Sequence, residues 1–380
     1  MAGLHAFLAP SAAGRWVKCA LSARLEAAYP EAADSPASLE GTAAHWVVQR
    51  TLEGSPPVVG SQAPNGVGVT LEMLEAADLV IEAIEARLGR NWRKILVIER
   101  RVHIPRVHPT QCSGTPDYTA WVRLPNGLPM LFVIDFKYGH GVVEVFENWQ
   151  LITYAAGKLD EIGGDESDAF VTMVVIQPRS HHKDGPVRQW VERAANLRAH
   201  INILAAAALK ACSPEPTATP DPDACEHCRG RHACVAVQRS AYSAADRGRR
   251  GEAVELTPHA LGLELRALSR AKALLEARES GLASEAEALI KQGQHVPFWS
   301  MESTPGRLAW NKPASEVLAL GAMMGVDIAA PASPITPTQA KKAGLPDSIV
   351  NLYASRPAGA AKLVPDDGTK ARLTFTSSNT

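Results

Sequence analysis

The stretch LFVIDFKYGH, residues 131–140, sets Asp135 and Lys137 into an otherwise apolar run and follows them with Tyr138-Gly139. An apolar, β-branched segment of this kind reads as a strand buried on at least one face. Charged side chains enter such a segment only when they are paired or chemically employed, because an unpaired buried charge is costly. Residues two apart on a strand point to the same face, so the acid and the lysine share one site.

The neighbouring segments set the fold class. PDYTAWVRL (116–124) and PMLFVIDFKYG (129–139) flank a Pro-Asn-Gly turn, which predicts a β-hairpin. ILVIERRVHI (95–104) reads as a further extended segment before them. Beyond the hairpin, ENWQLITYAAGKLDEIG (147–163) has helical period, and AFVTMVVIQP (169–178) reads as a strand buried on both faces. A helix between two strands is a crossover, so an α/β protein with a mixed central sheet flanked by helices is expected. Upstream, GRWVKCALSARLEAAY (14–29), SLEGTAAHWVVQRTLEG (38–54) and LEMLEAADLVIEAIEARLG (71–89) all read as helices. An Ala-rich helix is expected over roughly 190–211, then a Pro-rich extended linker, SPEPTATPDPD (213–223), that cannot pack.

The 380 residues carry 39 basic and 40 acidic side chains, a net charge of −1, so no global field draws the protein to nucleic acid and any such site must be a local cleft. Six cysteines in this length form no disulfide scaffold, and clustered ones read first as metal ligands. The first residues lack a basic region and a continuous apolar run, and no segment is apolar enough to span a membrane, so a cytoplasmic setting is expected.

Around Asp135 and Lys137 stand further candidates. Asp117 sits in SGTPDYTAW at the start of the neighbouring strand, Gln150 and Tyr154 share one helix face at i, i+4, and His45 follows Gly41 on an upstream helix. Two carboxylates and a lysine at adjacent strand ends suit phosphodiester hydrolysis: carboxylate oxygens hold Mg²⁺ or Mn²⁺, and the lysine orients or helps deprotonate the attacking water. Each motif alone has a plainer reading, namely a strand-end salt bridge, a packed histidine and a chance Q-x-x-x-Y. Their joint order, G-x-x-x-H, G-T-P-D, I-D-F-K and Q-x-x-x-Y over residues 5–236, resembles the PD-(D/E)XK nuclease superfamily. Within it the match is to the branch of RecB-like and AddB-like nucleases and CRISPR-adaptation exonucleases, nearest to an uncharacterised phage and prophage set.

The resemblance implies a restriction-endonuclease-like core. It implies a divalent metal held by His45, Asp117, Asp135 and the Phe136 carbonyl, with Lys137 as catalytic lysine and Gln150 and Tyr154 positioning the substrate strand. It also implies linear DNA as substrate, a bacterial host cell, and a phage or prophage gene acting in recombination or end processing. A single-strand annealing protein or a helicase would be a partner, since no nucleotide-binding G-x-x-x-x-G-K-[ST] motif is present. A structure-specific endonuclease and a non-catalytic DNA-binding scaffold are the competing expectations.

Cys225, Cys228 and Cys234 place three thiols within ten residues. A zinc site needs a fourth ligand, for which His227 and His232 are at hand, whereas a 4Fe–4S cluster wants four thiolates. Relatives in the same nuclease branch pair three such cysteines with one upstream of the core, which places Cys19, expected on the first helix, as fourth ligand of an iron–sulfur clasp. Cys112 and Cys212 read as ordinary thiols. A nuclease domain over 1–240 and a mainly helical accessory domain over 241–380 are expected. In the latter, 257–292 reads as a long charged helix, FWSMESTPGRLAWNKP (298–313) as a small core or stacking surface, and ITPTQAKKAGLPDSIVNLY (335–353) as two short helices.

Overall fold

The computed structural model describes residues 6–29, 35–124, 127–163, 168–247 and 257–301. Two compact units divide the chain, 1–297 and 298–380. Most of the segment 298–313, and all of 335–353, lie outside the described residues.

The first unit opens with two short helices, α1 (Ala13–Trp16) and α2 (Ser22–Ala28), then α3 (Pro36–Leu52) and α4 (Leu71–Leu88). Ser35 and Thr70 cap α3 and α4 by accepting from backbone N–H groups of the first turn, and Gly89 at φ 74° stops α4. Strands β1 (Leu96–Ile98), β2 (Val102–His103), β3 (Ser113–Gly114), β4 (Tyr118–Arg123) and β5 (Pro129–Phe136) follow. Helix α5 (Trp149–Ile162) then leads to β6 (Phe170–Ile176), β7 (Val187–Arg193) and α6 (Ala194–Ala211). The unit continues with α7 (Pro222–Glu226), α8 (Val235–Arg247) and the long α9 (Pro258–Lys291).

The central sheet runs β1-β4-β5-β6-β7 and is mixed. The hairpin β4–β5 is antiparallel, β5 and β6 are parallel with α5 as crossover, and β7 returns antiparallel to β6. Alternation along β5 sorts its side chains. Leu131 and Val133 enter the core shared with α5 and α6, while Phe132, Ile134 and Phe136 enter the core shared with α3 and α4. The protein is thus an α/β fold with helices on both faces of a mixed sheet and a helical part C-terminal to it.

Three local expectations differ from the structure. The extended segment 95–104 is two strands in separate sheets, because Glu99 takes φ 44° and turns the chain between them. Residues 187–193 form a strand before α6, not the first turns of the helix, since edge pairing with β6 satisfies their backbone where a helix start would not. The first expected helix breaks into α1 and α2, and Cys19 lies in the turn between them, its N–H donating to the Arg15 carbonyl at 2.8 Å.

The linker, expected to be extended over 213–223, is free of helix over 213–221 only, since Pro222 and Asp223 open α7, and it is pinned to the body. Arg24 donates to the carbonyls of Pro214 (2.6 Å) and Ser213 (2.9 Å), Leu21 N–H to Thr217 (3.2 Å), and Arg270 to Pro220 (2.6 Å). A proline-rich segment cannot pack by side-chain burial, but its free carbonyls make good acceptors for arginines.

Gly157 lies where α5 passes closest to β2. A Cβ there would meet Ile104 Cγ1 at 2.7 Å, the His103 carbonyl oxygen at 2.9 Å and Val102 Cγ2 at 2.9 Å. Gly157→Ala is expected to destabilise the fold by about 1–3 kcal/mol in urea titration, despite alanine's better helix propensity, because backbone is among the obstructing atoms.

Candidate active site

Side chains from five segments meet at one end of the sheet. Tyr118 pairs with Ile134 across the hairpin, so the residues just beyond that pair, Asp117 and Asp135, face each other at the sheet end. Asp117 Oδ2 accepts the Phe136 N–H at 2.8 Å, fixing the first carboxylate to the strand that carries the second. Asp135 is 3% exposed. Its Oδ1 accepts from Lys137 Nζ at 2.9 Å and from Gln150 Nε2 at 2.9 Å, and its Oδ2 lies 2.8 Å from Lys137 Nζ. Gln150 is on the first turn of α5, capped by Asn148, so the crossover helix points its N-terminus toward the site.

His45 arrives from the opposite face of the sheet. Its ring packs edge-on against Phe136 with centroids 5.0 Å apart, and Nδ1 stands 4.0 Å from Asp117 Oδ1. Tyr154, one turn along α5 from Gln150, is buried. Its ionisation is pushed up by burial and by the charges of Asp117 and Asp135, against a hydrogen bond to Gln150. All of His45, Asp117, Asp135, Phe136, Lys137, Gln150 and Tyr154 therefore fall in one neighbourhood.

The electrostatics are those of a site with surplus negative charge. Burial raises the Asp117 carboxyl, helped by the Asp135 charge and opposed by His45 and Lys137. Burial alone would lower Lys137, but the charges of Asp135 and Asp117 and the hydrogen bond to Asp135 outweigh it and raise its pKa. A third acid stands close: burial and the Asp117 charge raise Glu99, with His45 acting against them, and the Glu99 N–H donates to the Asp117 carbonyl at 2.9 Å. Glu99 was not a site candidate in the sequence, although its place at the end of the apolar Leu96-Val97-Ile98 is the same signal that singles out Asp135.

Among the described residues no three His, Cys, Asp or Glu side chains are gathered as a ready-made ligand set. His45, Asp117 and Asp135 instead meet pairwise, with Lys137 serving as counter-ion to Asp135. The donor chemistry suits a hard divalent cation, with carboxylate oxygens and one imidazole at a place where anionic Asp117 is disfavoured.

Two further groups hold the site in shape, and neither carries a sequence motif. Arg179, just after β6, donates to both oxygens of Glu40 on α3 and both of Glu72 on α4, each at 2.8 Å. Its guanidinium lies 3.8 Å from the Tyr138 ring centroid. It thereby ties the helix bearing His45 to the strand end bearing Lys137. Fully buried Gln177 donates to the carbonyls of Gly139 (2.8 Å) and Gly141 (2.6 Å), and its amide oxygen accepts from Val143 N–H and Arg188. That fixes the loop leaving Lys137.

The cysteine segment lies elsewhere in the same unit. Cys19, Cys225, Cys228 and Cys234 are all buried, and none is in a disulfide. Burial raises the Cys225 thiol, with smaller contributions from Cys19 and Cys234, and burial pushes Cys228 up to about 11, with smaller contributions from Glu26, Cys19 and Cys225. Cys19 thus lies near enough to Cys225 and Cys228 to influence both thiols, but among the described residues the four cysteines are not gathered as a ready-made ligand set. Lys18 reinforces the approach with contacts to Asp223 (2.5 Å) and Asp221 (3.2 Å). Of the two histidines, His227 is exposed, and His232 is engaged by the Tyr29 ring (4.5 Å), the Arg229 carbonyl and Glu285.

A mixed α/β sheet whose hairpin brings two acids and a lysine to one end, met there by Gln150 from the crossover helix and His45 from α3, defines the class. The particular family is given by a family model, described as a protein of unknown function (DUF2800), that matches residues 5–371. The chain belongs to that family. Among solved structures, one titled "Crystal structure of SSO0001" aligns over 59% of this chain and 84% of that chain, at 16% identity and a TM-score of 0.27. Among the described residues no helix is long and apolar enough to cross a membrane.

The raised Asp117 carboxyl has a consequence for stability. The unfolded chain releases this proton near pH 3.9, whereas the folded protein holds it to higher pH, so stability falls as pH rises through that window. Asp117→Asn keeps an oxygen for the Phe136 N–H and removes the charge. In EDTA its melting temperature should match wild type below the unfolded pKa and exceed it increasingly as pH climbs toward neutrality. A lower melting temperature for the variant at pH 7 would contradict this account.

Proposed function

We propose that the protein is a divalent-metal-dependent deoxyribonuclease that degrades linear DNA from its ends. The observation that carries this reading is the convergence of His45, Asp117, Asp135, Lys137, Gln150 and Tyr154, from separate segments, on one sheet end. The PD-(D/E)XK assignment rests on that constellation together with the motif order.

His45, Asp117, Asp135 and the Phe136 carbonyl would hold Mg²⁺ or Mn²⁺. Once bound, the ion would supply a polarised phosphate and a water of lowered pKa. The chain's own residues do the rest. The Phe136 N–H fixes Asp117 without using its second oxygen. Lys137 is a three-proton donor anchored on Asp135, which leaves it hydrogens with which to orient the attacking water. Gln150 is tethered to Asp135 and Tyr154 is buried one turn behind it, so the α5 face toward the site is pre-set to position a strand.

End-labelled linear DNA and covalently closed circles, each with and without Mn²⁺, test the assignment. Linear DNA should be degraded only with metal, circles should survive, and activity should fall steeply with salt. Asp117→Ala and Asp135→Ala should each lower the rate by about 10²-fold or more while DNA binding is kept or tightened. Lys137→Ala should lower kcat with the DNA Kd unchanged. Full activity in both aspartate variants would remove the site, and rapid nicking of circles would move the protein to the endonuclease class.

The cysteine segment is read as a 4Fe–4S clasp on Cys19, Cys225, Cys228 and Cys234. What favours four thiolates over a zinc site with one histidine is the placement of the histidines, His227 exposed and His232 already engaged. Cross-linking ends so distant in sequence is where a metal clip stabilises most. Protein purified without oxygen should be brown with about four irons per chain, and Cys19→Ala should bleach it as fully as Cys228→Ala. Zinc in elemental analysis, retained in Cys19→Ala, would replace the clasp with a local site.

A further inference from the structure

The feature that the catalytic reading leaves unused is the outer face of α9. This helix has 34 residues and is about 51 Å long at 1.5 Å per residue. Leucines recur every seventh residue at 261, 268, 275, 282 and 289. The first four are exposed, at 48%, 59%, 39% and 45%, and Leu265 between them is 43% exposed.

The helix is not short of a packing face of its own. Leu274 and Ala277 are buried with Cys225, Cys234 and Val237, and a Cβ on Gly281 would meet Arg231 Cγ at 2.7 Å. At about 100° per residue the leucine stripe lies roughly 140° around the helix from that face. From Ala271 onward one side of α9 is committed to the cysteine segment, while residues 261–270 are exposed all round, Leu263 included. The opposite side presents an exposed heptad seam over three intervals, from Leu261 to Leu282, the lower end of the length at which such seams specify coiled coils.

Charge identifies the occupant. In the seam the positions between leucines are Leu265, Lys272, Glu279 and Ala286. Parallel, in-register pairing would stack Lys272 on Lys272 and Glu279 on Glu279. Antiparallel pairing about a two-fold axis near Leu275 instead sets Lys272 of each copy beside Glu276 and Glu279 of the other, twice by symmetry. Lys272 already leans toward Glu276 within its own helix, at 3.7 Å, so the ammonium sits on the exposed flank.

We propose that α9 is a self-association element, and that two copies of this chain pair antiparallel through Leu261, Leu265, Leu268, Leu275 and Leu282. The seam is independent of the nuclease site, so the dimer stands or falls apart from the catalytic reading.

Sedimentation equilibrium of the full chain is the test, expected to give twice the chain mass at micromolar concentration. Leu268→Glu/Leu275→Glu should raise the dissociation constant by about 100-fold or more, and the gentler Leu268→Ala/Leu275→Ala by about tenfold. Both should keep the wild-type far-UV circular dichroism, since neither leucine is buried in the monomer. Glu279→Lys alone should weaken the dimer about tenfold, and adding Lys272→Glu should restore most of the loss. A wild-type chain that stays monomeric at 100 μM (about the upper range for a specific weak contact) overturns the proposal, even if it captures some other protein. Unchanged association in the leucine variants overturns the seam, and indifference to Glu279→Lys overturns the antiparallel arrangement.

Discussion

The parallel pairing of β5 with β6 is the constraint on which the remaining architecture depends. Two parallel neighbours cannot be joined by a tight turn, so the chain must leave the end of β5, cross one face of the sheet and return. That crossing is α5, and its start falls beside the end of β5. Gln150 is thereby delivered within hydrogen-bonding distance of Asp135, and Tyr154 is buried behind it. The antiparallel hairpin partner β4 begins at the same sheet end, which is why Asp117 comes level with Asp135. One topological choice therefore collects two acids, a lysine, a glutamine and a tyrosine.

Holding two carboxylates together at such a place works against stability. Asp135 is balanced by Lys137 and Gln150, but Asp117 has one backbone N–H and a histidine 4.0 Å away, and its anion is disfavoured. The surrounding structure compensates with fixed ion pairs away from these carboxylates. Arg179 joins Glu40, Glu72 and Tyr138, so that two helices and the strand end cannot drift apart. Unfavourable pairings of this kind, supported from outside, are concentrated at functional sites in proteins generally.

Much of this was legible in the sequence because the signals were local. The hairpin, the α5 crossover and the doubly buried β6 follow from hydrophobic period and turn residues, and the same run exposes Asp135 and Lys137 as charges out of place. What was misread failed for reasons of tertiary origin. The strand Val187–Arg193 has no decisive pattern of its own and exists because β6 offers it an edge. Glu99 breaks 95–104 in two with a left-handed backbone that no glycine announces. The linker's side chains predict no packing, whereas its carbonyls are what arginines hold.

The sequence by itself determined the class of fold and singled out Asp117, Asp135 and Lys137, because each is written in spacing along one segment. Only the tertiary structure decided that His45 stands 4.0 Å from Asp117, arriving from the far face of the sheet, that Glu99 joins them, and that Cys19 comes near Cys225 and Cys228 two hundred residues away. It also decided which side of α9 is buried against the cysteine segment and which is left outside. The physical reason is the same in each case: periodicity records which face of an element is apolar, while the partner of that face is chosen by packing between segments that carry no trace of one another.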